Sequence, residues 1–346
     1  MTVNDVAKRA QVSKATAARV LGGYGGASED VRRRVTAAAK ALDYKPNELA
    51  RSMTTGKSGT IGVVVGDIEN SFFGLAVRGI SDVAHANGFN VILANSGENI
   101  EAEKSALEVL VGKRVDGLIV TPAHSGDTAH LKAVVRSGRP LVLLDRSLPG
   151  FHVDTVVVDD RDAAFNATSK LTEAGHRRIA YVSAVKAAAD HFPDGSPIAI
   201  SSVLERVEGF LDACRQAGIA DPERWIRRGG TNEPDRLRAV VTALMSEPDH
   251  PTAILASDSV IALEIFKTLQ IMKIPIPAAV SLISFHDADW TSVTNPPVTV
   301  IDQPIYAMGR KVAEILIDRV NGDTAPAAFC VMKTRLIERQ SVAAPP

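Results

Sequence analysis

The sequence is poor in cysteine, with Cys214 and Cys330 the only two among 346 residues. That excludes a disulfide framework and a cysteine-rich metal centre, and the apolar neighbours of both point to buried, inert thiols. Aromatic residues make up 5% of the chain, so the core has to be built from Ala, Val, Leu and Ile. No apolar run reaches the ~18 residues that a bilayer span needs. The opening Met1-Thr2-Val3-Asn4-Asp5 lacks the apolar stretch of a secretory signal, so a cytoplasmic protein is expected. Enzyme signatures are missing too. There is no P-loop, no Gly-x-Gly-x-x-Gly, no Gly-x-Ser-x-Gly and no histidine pair at metal-ligand spacing. No cofactor, metal or catalytic residue is expected. Asp258 and His286 could imitate a base and its orienting partner, but no nucleophile or activated water accompanies them.

Charge is present and unevenly placed. A net charge of −1 conceals a +6 segment over residues 1–58, with eleven Lys/Arg against five acids, and a remainder of −7. A small basic segment on an acidic chain points to a polyanionic partner.

The pattern changes at the same place. Residues 2–10, 14–21 and 29–42 read as helices, the third with Ser28 as N-cap and Glu29 and Asp30 in its first turn. Thr54–Gly59 reads as a linker. Beyond it, short apolar runs at 61–65, 91–94, 117–120, 141–144, 179–182, 253–256 and 280–285 alternate with longer helical stretches. Runs that are apolar at successive positions predict strands buried on both faces, hence a parallel α/β sheet. The length from residue 59 onward is large for one such sheet and predicts two similar lobes. Ser341–Pro346 reads as a frayed tail.

Within the basic segment, Val3, Val6, Ala7 and Ala10 share one helical face, and Thr16, Ala17 and Val20 share another. Ser13 can cap the second helix, whose N-terminus then attracts phosphate. This suits a helix-turn-helix with its second helix in a major groove, where Arg19 can make a bidentate guanine contact. A small helical bundle with a solvated basic face fits the same spacing.

The residues Asp5-Val6-Ala7, Val12-Ser13, Thr16, Arg19-Val20-Leu21, Ser28, Arg34-Val35, Leu42, Tyr44, Pro46-Asn47 and Ala50-Arg51 follow the pattern D-V-A-x-x-A-G-V-S-x-x-T-V-S-R-V-L-N … L-G-Y-x-P-N-x-x-A-R. On them the chain resembles the lactose-repressor (LacI) family of bacterial transcription regulators over nearly its whole length. The resemblance implies a helix-turn-helix headpiece over 1–58 with a hinge helix near 46–53. It implies a two-lobed parallel α/β core over 59–346, similar to periplasmic sugar-binding proteins, with lobe crossovers near 160 and 293. It implies a homodimer or tetramer on pseudo-palindromic operator DNA, probing it through Ser13, Lys14, Ala15, Thr16, Arg19, Tyr44, Asn47, Ala50, Arg51 and Met53. Met53 stands where the family places a leucine wedge in the minor groove. Departures include Gln11 for a turn glycine, which predicts local strain, and Ala17-Ala18 for Val-Ser, which removes a hydroxyl able to hold phosphate.

Open α/β sheets bind ligands beyond the carboxyl ends of their strands, and polar residues follow several apolar runs here. Asn70 with Phe72 and Phe73 follows the first; the alternative is a capped helix with two core rings. Asp145-Arg146 follows the fourth and offers acceptors and donors to vicinal hydroxyls, or is a structural ion pair. The resemblance adds Arg206, Asn232, Asp258, His286 and Gln303 as residues holding a small-molecule effector. His286 replaces the family's usual carboxylate; as a possible cation it favours an effector bearing a carboxylate or phosphate, or a compact polyol, and the alternative is that it only hydrogen-bonds a neutral sugar. Residues 185–202 form a longer segment than usual, able to narrow a cleft. A solute-binding protein without DNA function is the rival reading, and the basic segment speaks against it.

Overall fold

The structure is a computed structural model that describes residues 1–23, 26–44, 57–183, 198–230 and 233–346. Three helices, α1 (Val3–Ala10), α2 (Lys14–Gly22) and α3 (Glu29–Ala41), form the N-terminal unit. Their core is Val6, Ala7, Ala10, Ala17, Val35, Ala38 and Ala39, and the preponderance of alanine lets the helix axes approach closely. Each start is capped by a side chain, Thr2, Ser13 or Ser28, which satisfies a backbone N–H that the helix leaves orphaned. Gln11 takes φ 56° and ψ 47° at the turn, the left-handed conformation that a family glycine would enter without a Cβ penalty.

Ser58 and Gly59 donate their backbone N–H groups to the two carboxylate oxygens of Asp116, both at 2.7 Å. This ties the chain's entry to the base of the first lobe. There follow β1 (Thr60–Val65), α4 (Ser71–Ala86), β2 (Asn90–Asn95), α5 (Ile100–Gly112), β3 (Gly117–Val120), α6 (Ala129–Arg136), β4 (Leu141–Leu144) and β5 (Asp154–Val158). The second lobe holds α7 (Asp160–Glu173), β6 (Ile179–Ser183), α8 (Ser201–Gln216), β7 (Ile226–Arg228), α9 (Pro234–Met245), β8 (Ala253–Ala256), α10 (Ser259–Ile271), β9 (Ser281–Phe285), α11 (Asp289–Val293) and β10 (Thr299–Asp302). The chain then returns as α12 (Ile305–Val320) and β11 (Phe329–Met332) in the first lobe and β12 (Arg335–Ile337) in the second.

The two sheets have matching orders, β11-β5-β4-β3-β1-β2 and β12-β10-β9-β8-β6-β7. Every pairing is parallel except β10 with β12. Apolar clusters lie on both faces of each sheet. In each lobe one helix pair packs backbone to backbone at a glycine. A Cβ on Gly309 of α12 would collide with the Ala76 carbonyl of α4, and one on Gly209 of α8 with the Arg161 carbonyl of α7.

Four expectations need correction. The second crossing falls at Gln303-Pro304, after β10, not near 293, because β10 completes the second sheet before the chain leaves it; a third crossing follows at 333–334. The run at 91–94 is not buried on both faces. It belongs to the edge strand β2, where Leu93 is 44% exposed. Cys214 is buried, but Cys330 is only half-buried, on the edge strand β11. The C-terminal residues are not frayed. Ser341 is buried and bridges the Leu282 carbonyl and the Thr299 N–H, and Ala343 contacts Ser281 and His176.

Candidate operator interface and effector cavity

In the N-terminal unit, the start of α2 is exposed. Ser13 Oγ accepts the Thr16 N–H at 3.0 Å and lies 2.8 Å from Thr16 Oγ1. Lys14, Ala15 and Arg19 face solvent, and Arg19 Nε donates to the Ala15 carbonyl at 3.4 Å. The Arg19 side chain thus lies on the exposed face of α2. Tyr44 is half-buried and packs against the three-helix core, so its ring supports the unit from within. Asn47, Ala50, Arg51 and Met53, with the hinge segment 46–53, lie outside the described residues.

Between the lobes lies a cavity of about 430 Å³, within the range of small-molecule sites. The segments following the carboxyl ends of strands from both sheets line it. Asn70, Phe72, Phe73, Asp145, Arg146, Arg206, Asp258, His286 and Gln303 all border this one space. Asn232 lies outside the described residues, as does 184–197, most of the long segment; its described end reaches the cavity through Ala199, Ile200 and Ser202. Contacts join the lobes at that edge, including one of 3.5 Å from Ser202 Oγ to Asp145 Oδ2. Ser125 N–H donates to the Ala199 carbonyl at 2.8 Å, and Ser147 N–H to Ser201 Oγ at 2.9 Å.

Several residues take the structural role that their sequence context left open and also border the cavity. Asn70 caps α4 by accepting the Phe72 N–H at 3.0 Å, yet it also borders the cavity. Phe72 and Phe73 meet edge to face at 5.1 Å and belong to the core of the first lobe as well. One oxygen of Asp258 caps α10 by accepting from Val260 and Ile261 at 2.8 and 2.9 Å, while burial raises the pKa of its carboxyl. Gln303 is 4% exposed and its side-chain nitrogen has no partner.

The two arginines are committed. Arg206 donates from Nε to Asp160 Oδ1 at 2.6 Å and from Nη1 to the Ser257 carbonyl at 2.7 Å, with its guanidinium 4.2 Å from the Phe285 ring centre. Burial raises Asp160 to about 7, against the pull of Arg206. Arg146 pairs primarily with Glu98, not with its neighbour. Its Nη1 and Nη2 reach the two Glu98 oxygens at 2.6 and 2.8 Å, whereas Nε stands 3.5 Å from Asp145. Burial raises the pKa of the Asp145 carboxyl.

The charge expected at His286 is not there. Its ring is buried, with Nδ1 3.1 Å from Ser259 Oγ, and desolvation lowers its pKa to about 4. At neutral pH the side chain is an uncharged hydrogen-bonding group. Sequence reasoning missed Glu98, Asp67, His124, Ser202 and Glu233 at the cavity and Asp160 behind it. Asp67, soon after the first strand, could have been found by the same strand-end rule. Glu98 lies in a turn with no local signal.

Among the described residues no group of side chains could hold a metal ion, and no helix is long and apolar enough to cross a membrane. Residues 2–47 match the profile of bacterial regulatory proteins, lacI family, and residues 168–342 match a periplasmic binding protein-like domain. The HTH-type transcriptional repressor CytR of Escherichia coli (strain K12) is 30% identical over 345 residues, covering 100% of this chain and 97% of that protein. The transcriptional regulator CelR in complex with cellobiose shares 26% identity at a TM-score of 0.72, covering 99% of this chain and 100% of that one. The lac repressor dimer bound to operator and an anti-inducer matches at a TM-score of 0.83 over 99% of each chain; at 23% identity it speaks for the fold alone. The chain belongs to the lacI family of bacterial regulatory proteins, and it is a DNA-binding transcriptional regulator, not an enzyme.

Proposed function

We propose that the protein is a cytoplasmic repressor that binds a pseudo-palindromic operator as a homodimer and changes its grip when a sugar-type effector occupies the cavity. The carrying observation is the cavity itself. Asp145, Arg146 and Asn70 come from one lobe, and Arg206, Asp258 and His286 from the other, so one ligand bridges both. Ligand-dependent closure would move the first lobe, to which Asp116 ties the chain leading to the headpiece. Two sites, two global states and a reciprocal coupling of typically ~1–3 kcal/mol then make the response allosteric.

The cellobiose bound to CelR supports a sugar for this cavity, as do the polar side chains of Asn70, Asp145, Asp258 and Gln303 that converge on it. The exposed start of α2, with Ser13, Lys14, Ala15, Thr16 and Arg19, is assigned to the major groove. Asn47, Ala50, Arg51 and Met53 are assigned to the hinge contact by their motif positions.

Selection of operator sequences from random duplexes, followed by anisotropy titration with and without sugars, tests the reading. Sequence-specific binding that shifts on adding a sugar is expected. Binding without base preference, or preference that no sugar alters, would refute the repressor or the effector part respectively. Sedimentation of the free and operator-bound protein separates dimer from tetramer.

A further inference from the structure

Glu98 has no assigned role, yet it occupies the cavity wall and holds a strained conformation to do so. Its φ is 57°, a left-handed value for a residue with a full side chain. Its carboxylate lies where a Cβ on residue 66 would be, so Gly66 leaves the space that the carboxylate fills. From there it grips Arg146 through two parallel hydrogen bonds of 2.6 and 2.8 Å. Arg146 is also bound to the Pro122 carbonyl at 2.9 Å and is 7% exposed.

The consequence is a matter of charge balance. An anionic ligand in a buried site needs a cation that is not already neutralised, because desolvating a charge without a partner is costly. Arg146 is neutralised by Glu98, and Arg206 is engaged by Asp160 at 2.6 Å and by the Ser257 carbonyl at 2.7 Å. His286 is uncharged in its buried place. Asp145 and Asp258 add acids to the same wall, Asp145 with Arg146 Nε 3.5 Å away and both within the field of Arg206. The cavity wall also carries Asn70, Ser202, His286 and Gln303, side chains able to donate and to accept hydrogen bonds. Among the described residues, such side chains beside two guanidinium groups that are already paired suit hydroxyl groups, which both give and receive hydrogen bonds.

We propose that Glu98 sets the charge of the effector: by neutralising Arg146 inside the cavity it restricts binding to uncharged polyhydroxyl ligands and rejects their carboxylated and phosphorylated counterparts. This rests on the reading of the cavity as the effector site. It makes Glu98 a specificity residue that acts through Arg146.

The test is calorimetric titration of the full-length protein with matched pairs: glucose and glucuronate, galactose and galacturonate, ribose and ribose 5-phosphate, and cellobiose with cellobionate. The wild type should bind a neutral member and give no heat with its anionic counterpart. Glu98→Gln keeps the shape, frees the Arg146 charge and should improve the anion-to-neutral affinity ratio at least roughly tenfold, as a charge-assisted contact replaces a repelled one. Glu98→Asp, too short to hold both guanidinium nitrogens, should move the ratio the same way by less, and it serves if Glu98→Gln does not fold. A wild type that binds the anionic member as tightly as the neutral one overturns the proposal. So does a folded Glu98 variant whose ratio stays at the wild-type value while neutral binding persists. If no member binds the wild type, the effector-site reading itself fails, and the proposal with it.

Discussion

Asp145 and His286 occupy the same place in the two lobes. Each follows the strand third in its sheet order, β4 or β9. Each donates its backbone N–H to the adjacent strand, to the Val156 carbonyl at 2.8 Å and to the Ile301 carbonyl at 2.9 Å. Each then turns left-handed, with φ of 69° and 70°, and borders the cavity. Left-handed conformations are unfavourable for residues other than glycine and persist where the surroundings over-determine them, often at functional sites. Here one lobe presents an acid and the other a neutral imidazole from equivalent positions.

The imidazole gives a pH prediction. In the folded protein His286 titrates at about 4, below its ordinary 6.5. The unfolded chain therefore takes up the proton first as pH falls. The stability contribution is whole above 6.5 and is lost progressively down to about 4. Each tenfold change in proton affinity is worth about 1.4 kcal/mol, so the loss is at most a few kcal/mol. Urea unfolding between pH 7 and 4 should show a shallower acid decline for His286→Asn than for wild type. Equal declines would mean that the ring is accessible to protons in the folded state.

Arg206→Ala should do two things at once. It removes a proposed effector contact, and it strands the Asp160 carboxylate, which is 1% exposed. Breaking one side of such a buried pair costs about 3–5 kcal/mol. Chemical denaturation should show that loss, and Asp160→Asn in the same chain should recover part of it. Without the recovery, the 2.6 Å bond between them contributes nothing to stability.

Arg19→Ala is expected to lower discrimination at one base pair of each half-site by about 1–3 kcal/mol and to leave sugar binding unchanged. Competition between operator variants measures this. An unaltered base preference would remove Arg19 from the groove.

Gln11→Gly should stabilise the N-terminal unit. The left-handed turn at φ 56° carries a Cβ penalty of roughly 1–2 kcal/mol, offset in part by the greater chain entropy of glycine, about 0.4–1 kcal/mol. A net gain of between about 0 and 1.6 kcal/mol is expected in thermal unfolding of the variant. A lower melting temperature would show that the glutamine side chain contributes more than its backbone costs.

The sequence alone carried the architecture, because architecture rests on local and periodic signals. Ser13 and Ser28 are cap residues wherever a helix follows them, and runs such as 141–144 are strands because four successive apolar residues need a buried sheet. Five strands were not among the predicted runs: Asp154–Val158, Ile226–Arg228, Thr299–Asp302, Phe329–Met332 and Arg335–Ile337. Ile226–Arg228 and Arg335–Ile337 are three residues long and charged, and the other three each hold only two to four apolar residues in a row beside polar ones, so it is the neighbouring strands that make them part of a sheet. The strand-end rule and the family motif together brought nine described residues to one cavity. What they could not supply was the state of those residues. That Arg146 belongs to Glu98 across 48 positions, that Arg206 belongs to Asp160, and that His286 is uncharged are outcomes of burial and of contacts distant in sequence. Electrostatics in a closed site depends on which groups meet without water between them, and only the tertiary structure decides that.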